Sequence, residues 1–441
     1  MTSTVLTASQ IVLVGFIVRV VYCCYFHPLV KYPGPWFSSS LWGQHHLTEE
    51  SLHQRYGPIV RVAPIWLSSA RLEDFEAIYG FNKSIKKDDF YTFGEKRCQS
   101  DVSVFATKSN VAHRRKRRNM LGPALTSSKV RRYGSIFAKH VEVLIRRLEE
   151  SLGVQAGAVN VAQLTILFGP AVGPHPYTND DLAGDIGASV RYVSRTVWSY
   201  SLWPAFGCLM KTRLATACLR RPRYNAAGAV GGLTGLINRG AAAIMGGPET
   251  FARHSRPGIV RSWLEISADA VHRLTPAETV SEALILVFAG PGSMAAALTA
   301  ILYQWASQRV ESGRRSFVSL ELQAVIKETL RIHSPFPTAF PRVTRSGAEN
   351  AIPSLSTYVL SRSREIWGDD ADQWAPQRWI GEDGHLKGPA ASVIFAKALK
   401  AIVQQWRFTA AAELRGRSYL EMQYDECHLH YTQLQRPPIA S

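Results

Sequence analysis

The residues best able to do chemistry lie in a few short stretches. "KETLR" (327–331) puts Glu328 and Arg331 three apart, so on a helix they share one face. A further arginine, Arg378, stands in "APQRW" (375–379). An exposed Glu–Arg pair stabilises a helix by only ~0.3–0.5 kcal/mol. Breaking a buried set of such charges costs ~3–5 kcal/mol, because one charge is then left uncompensated. His113 and Arg117 lie four apart in "HRRKRRNMLGPALT", and Arg342 follows a proline in "FPRVT". Arginine's planar fork can give a carboxylate two hydrogen bonds. Ser293 places a hydroxyl beside Gly292 in "AGPGSM" (289–294), inside a long and nearly uncharged run.

Helices must position most of these groups. "VSEALILVFAGPGSMAAALTAILYQWA" (280–306) is apolar on all sides, which suits a central core helix, with its middle interrupted by Gly290, Pro291 and Gly292. "LELQAVIKETLRIHSPFP" (320–337) reads as a helix stopped by Pro335 and Pro337. "SIFAKHVEVLIRRLEES" (135–151) is amphipathic, and "IFAKALKAIVQQWRF" (394–408) is expected to close the helical part. Strand signals are fewer. "YGPIVRVAPIWLSSA" (56–70) alternates as a short hairpin would, and "STYVLS" (356–361) is a strand candidate. Between the two, "LEDFEAIYG" (72–80) reads as a brief helix ended by Gly80.

With 441 residues, 46% of them apolar and 19% charged, the chain can bury a large core. None of its six cysteines forms a Cys-x-x-Cys pair, so neither a zinc ribbon nor a disulfide scaffold is indicated. The net charge of +17 suits an anionic membrane surface or an acidic partner. No nucleic-acid-reading motif accompanies the basic clusters, and nucleic acid is not expected as a partner. From Val5 to Phe26 the only charge is Arg19, and the run approaches the length of a ~30 Å hydrocarbon core. Residues 1–26 are therefore expected to form a retained single-pass anchor. Lys31 follows it with no Lys or Arg before it, which turns the body toward the cytosol. "HPLVKYPGPW" (27–36) is a stiff hinge.

Three stretches together resemble the fungal, microsomal cytochrome P-450 family: the hinge "FHPLVKYPGP", the Glu-x-x-Arg of "KETLR", and "EIWGDDADQWAPQRW" (365–379). The resemblance runs, with gaps, from residue 5 to about 434. It implies a mainly α fold with a small β portion, cytochrome P-450-like but incomplete, occupying residues 37–441 behind the anchor. It implies that Glu328, Arg331 and Arg378 form a buried charge network, and that His113, Arg117 and Arg342 meet the propionates of a haem. It places Gly292 and Ser293 where the family commonly has an acid and a threonine that relay protons, so here the hydroxyl is kept and the carboxylate lost. It also implies an endoplasmic-reticulum membrane, an NADPH-dependent reductase as electron donor, and an apolar small molecule as substrate.

One part of the family pattern is missing. Haem-thiolate chemistry needs a cysteine sulfur on iron, since its electron donation favours O–O cleavage. The family carries that cysteine in a glycine-rich loop before the last long helix. Here only "IGEDGHLKGPAASV" lies between Trp379 and Ile394. It holds no cysteine, and its His385 has none of the surrounding pattern. Cys427, in "YDECHLHY", resembles a residue of a terminal strand. Neither is expected to ligate iron. Other segments look shortened as well, as after gene decay or misread exon ends. Three functions stay open: an inactive relative of an oxygenase of fungal specialised metabolism, of clavine-oxidase type for example; an active enzyme whose true coding sequence restores the loop; and an anchored binding or scaffold protein.

Overall fold

The computed structural model describes residues 20–35, 43–80, 85–94, 103–118, 158–162, 259–264, 274–307, 319–344, 351–388, 406–419, 421–424 and 426–433 as continuous stretches, with single residues and short pieces elsewhere. What lies near the site is organised around one helix. Helix α5 (Pro276–Ser307) runs unbroken through Gly290, Pro291 and Gly292, where the sequence suggested an interruption. A proline costs one rung of the hydrogen-bond ladder. The helix absorbs that loss between alanine-rich flanks of high helix propensity. Ser293 Oγ donates to the Ala289 carbonyl at 2.5 Å, and the Gly290 carbonyl lies 3.2 Å from the same hydroxyl.

The C-terminal half of α5 is the centre of the core. Leu298, Ile301, Leu302 and Trp305 are buried there with Ile326 of α6 (Ser319–Ile332) and with Trp406 and Phe408 of β7 (Trp406–Ala410). Burying each such side chain contributes roughly 1.5–3 kcal/mol. Strand β7 begins inside the segment expected to be helical to residue 408. Its alternation of buried Trp406 and Phe408 with exposed Arg407 and Thr409 is the strand period rather than the helical one.

The β portion is small and ties distant segments together. Strands β1 (Ile59–Ala63) and β2 (Trp66–Ser69) form the expected hairpin, and β6 (Ile352–Leu355) adds to β2 in parallel. "STYVLS" is not the strand. Its Thr357–Leu360 is a short helix following Ser356, while "IPSL" just before it pairs with β2. A second sheet has the order β4 (Ala158–Asn160), β10 (His428–Gln433), β7. Smaller pairs join β3 (Lys86–Lys87) to β5 (Arg342–Val343) and β8 (Arg417–Ser418) to β9 (Met422–Gln423).

Helix α1 (His45–Tyr56) lies on the first sheet through buried polar groups: Ser68 donates to Glu49, and His53 Nε2 is 2.9 Å from Ser68 Oγ. Two further helices, α2 (Asp74–Tyr79) and α3 (Asn110–Lys116), carry residues used below, and the short α4 (Ile259–Leu264) precedes α5. The proline hinge packs on β1, where the Arg61 N–H donates to the Pro33 carbonyl at 2.8 Å. A Cβ on Gly34 would overlap the Arg61 carbonyl, so the close approach requires glycine. Among the described residues no helix is long and apolar enough to cross a membrane. Much of the run expected as an anchor, Arg19 included, lies outside the described residues.

Candidate functional site

Helix α6 ends in the charge network. Glu328 is fully buried and gathers donors from three directions. Arg331 gives it two hydrogen bonds, Nε to Oε2 at 2.9 Å and Nη2 to Oε1 at 2.8 Å. Arg378 Nε, the Ala375 N–H and the Trp379 indole each donate at 2.9 Å. Burial alone would raise the pKa of Glu328. The donors, Arg331 first, outweigh it and hold the carboxylate below its usual range.

The guanidiniums spend their remaining donors on the chain that follows. Arg331 reaches the carbonyls of Ser361, Ala371 and Gln373, the latter two at 2.6 and 2.9 Å. Arg378 bonds Asp370 Oδ2 at 3.0 Å. The segment 361–379 is thus fixed to α6 by two arginines and one glutamate.

Beyond Trp379, where a glycine-rich loop was expected, the chain closes tightly on itself. Ile380 pairs with Leu386, and the Gly381 N–H donates to the His385 carbonyl at 2.8 Å. The Lys387 N–H donates to Trp379 at the same distance, and Gly384 takes a φ of 71° at the turn. His385 is exposed on this loop. Cys427 is buried at the start of β10, its N–H donating to Asn160 at 3.0 Å, and burial pushes its thiol up to about 12. Such a group stays a protonated thiol at neutral pH.

Of the residues expected to meet propionates, His113 feels the charges of both Arg117 and Arg342. Arg342, in β5, donates to the Tyr91 hydroxyl at 2.5 Å and lies over the rings of Tyr79 and Tyr91. His113 of α3 is half-buried. Burial first, then Lys87, Arg117 and Arg342, lowers its pKa to about 4, so it is neutral in the fold. Arg117, expected to point inward, is exposed. Lys116 is the buried member of the basic run, 3.4 Å from Glu278 of α5. The helical turn accounts for this: Lys116 falls on the face of α3 turned to α5. Lys87, which the sequence did not single out, belongs with Arg342: it donates to the Val104 and Phe105 carbonyls at 2.6 and 3.0 Å, and burial lowers its pKa to about 8.

Gly292 and Ser293 lie at the middle of α5, and a residue missed in the sequence meets them there. Glu421, in the turn between β8 and β9, packs its carboxyl on Gly292. A Cβ at that position would overlap it. Glu421 is 3% exposed. The sequence signal was an acid whose immediate neighbours, Tyr419, Leu420 and Met422, are apolar or aromatic.

These residues are only partly suited to a haem. Lys87, His113 and Arg342 are chemically apt for carboxylates. The two described cysteines are buried, Cys427 as a thiol, and no cysteine lies between Trp379 and Ile394. Among the described residues, no thiolate donor for a haem iron is found.

No family model matches the chain. Comparison with known proteins nonetheless finds relatives along most of its length. Cytochrome P-450 monooxygenase ABA2 of Pyricularia oryzae is 25% identical over 432 residues, covering 85% of this chain and 79% of that one. Cytochrome P-450 monooxygenase gsfF of Penicillium aethiopicum is 24% identical, covering 85% and 84%. Tryprostatin B 6-hydroxylase of Aspergillus fumigatus is 25% identical, covering 87% and 73%. The family of these relatives carries haem. Over most of its length the chain is thus similar to cytochrome P-450 monooxygenases of fungi.

Proposed function

We propose that the chain as encoded is a non-catalytic member of its family, descended from a monooxygenase of fungal specialised metabolism. The observation that carries this is the closed loop after Trp379. It returns from Ile380 to Lys387 without a cysteine, beside a charge network whose family task is to hold the ligand-bearing loop. The ancestral activity was oxidation of an apolar small molecule, with electrons from an NADPH-dependent reductase, and an alkaloid of the clavine type suits that class. The N-terminal run serves as a single-pass anchor in the endoplasmic reticulum with the body in the cytosol. The exposed apolar residues Val14, Ile17, Val18, Tyr25 and Phe26 support that placement. The test is a carbon-monoxide difference spectrum of the chain expressed in membranes with added haem precursor. The expected result is no thiolate-type Soret band, with a normal band from an intact relative in parallel. Such a band would overturn the reading.

A specific observation also favours a second reading. The Glu328–Arg331–Arg378–Trp379 network is complete, although each member is costly to keep buried for no purpose. An active enzyme whose transcript carries additional coding sequence between Trp379 and Ile394 would retain it. Sequencing that transcript decides the matter: a cysteine-bearing insertion establishes the active form, and an unaltered junction removes it. In the non-catalytic case the protein would serve as a membrane-anchored binding or scaffold protein.

A further inference from the structure

Helix α5 changes character at its middle. Ala295 to Leu302 are all buried, whereas Ala289 is exposed and Gly290, Gly292, Ser293 and Met294 are half-buried. An exposed position halfway along a 32-residue core helix means that open space borders it there. Glu421 stands at the edge of this opening. Its carboxyl rests on Gly292, and Ser194 Oγ donates to Oε1 at 3.3 Å. That is a long bond for a hydroxyl and a carboxylate. Burying a carboxyl with so little support is unfavourable.

Burial is the larger influence on Glu421 and raises its pKa to about 8. Ser194 is the other, acting to lower it, and among the described residues no cationic side chain contributes. Arg195 lies over the Tyr419 ring instead. The site therefore presents an acid, apolar neighbours such as Met422 and Tyr419, and no counter-charge among the described residues. A ligand bringing a basic nitrogen would supply what is missing, ionising the acid and making a charge-assisted hydrogen bond.

We propose that Glu421 anchors the basic nitrogen of a small organic amine bound alongside the middle of α5. This rests on the reading that the chain keeps its small-molecule pocket, and it does not require iron. Gly292 is part of the device, since any side chain there would displace the carboxyl from its position.

The test is calorimetric titration of the full-length chain in detergent micelles with tryptamine and with 3-ethylindole, which shares the ring but lacks the amine. The expected result is at least tenfold tighter binding of tryptamine. That preference should vanish in Glu421→Gln, with 3-ethylindole binding unchanged, and persist in Ser194→Ala. Equal binding of the two probes to the unaltered chain overturns the proposal. So does a tryptamine preference that survives Glu421→Gln, or absence of tryptamine binding in a preparation that melts cooperatively. The carbon-monoxide spectrum of the same preparation reports on iron separately. A thiolate band would sink the non-catalytic reading and leave the assignment of Glu421 standing.

Discussion

Replacing Glu328 with glutamine tests whether the charge network is a buried unit. The substitution keeps the shape and removes the charge. Arg378 retains Asp370 at 3.0 Å, so its loss is partial. Arg331 is the weak point: its side chain is only 2% accessible, and without Glu328 its charge is left to carbonyls and the Trp367 ring, with no carboxylate among its described partners. Leaving one charge of a buried set uncompensated costs ~3–5 kcal/mol. With a urea m-value of about 3 kcal/mol/M, the unfolding midpoint should fall by on the order of 1 to 2 M. Asp370→Asn is the internal control. That carboxylate is 48% accessible, and a solvent-screened pair contributes less than about 1 kcal/mol. Urea unfolding followed by tryptophan fluorescence, with Trp374 and Trp379 close to the network, reads both variants. Glu328→Gln lowering the midpoint no further than Asp370→Asn would refute the reasoning. The pH dependence has a definite sign. The folded pKa of Glu328 lies below the unfolded value, so its contribution is present above about pH 4.3 and is lost as pH falls through the folded value.

Three other outcomes follow from the same structure. Gly292→Ala alone should destabilise the fold by about 1–3 kcal/mol through overlap with Glu421; in a Glu421→Ala background it should become stabilising by up to about 1 kcal/mol, as Ala usually is against Gly in a helix, and thermal melts of the double-mutant cycle read the reversal. His46 and His333 are held near a pKa of about 4 by burial, so between about pH 6.5 and 4 the unfolded chain takes up protons that the fold refuses. Stability should fall with acidification across that window, and His333→Gln should flatten the slope in urea titrations. Lys116→Ala should lower the melting temperature more than Arg117→Ala, which is exposed and should stay within about 0.5 kcal/mol of the unaltered chain.

Much of the site was legible in local spacing. Glu328 and Arg331 share a helical face for a reason visible in five letters, and the proline stops after α6 fall where the helix ends. The hairpin β1–β2 follows from alternation. What could not be read depended on partners distant in sequence. The Ala375 N–H and the Trp379 indole reach Glu328 across about fifty residues, and no pattern marks a backbone donor. Lys116 and Arg117 are chemically alike neighbours, and only the packing of α3 on α5 decides which is buried. "STYVLS" alternates as well as any strand. It lost to "IPSL" because β2 offered its edge four residues earlier. Glu421 was missed because an isolated acid has no period; its meaning comes from Gly292, which lies 129 positions away in sequence.

The parallel pairing of β2 with β6 also sets a timetable. Trp66–Ser69 cannot complete its sheet until Ile352–Leu355 has been made, a gap of 283 residues between Ser69 and Ile352. At translation speeds of about 5–20 residues per second, the hairpin waits roughly 15 to 60 s with one edge unpaired. β4 waits similarly for β10, whose His428–His430 completes its ladder near the other end of the described chain. An unpaired strand edge is a template for association with other chains. The nascent protein therefore depends on something to shield those edges on the ribosome. A transcript cut short before residue 352 would leave both edges open for good, and its product would aggregate or be degraded rather than persist as a partial fold.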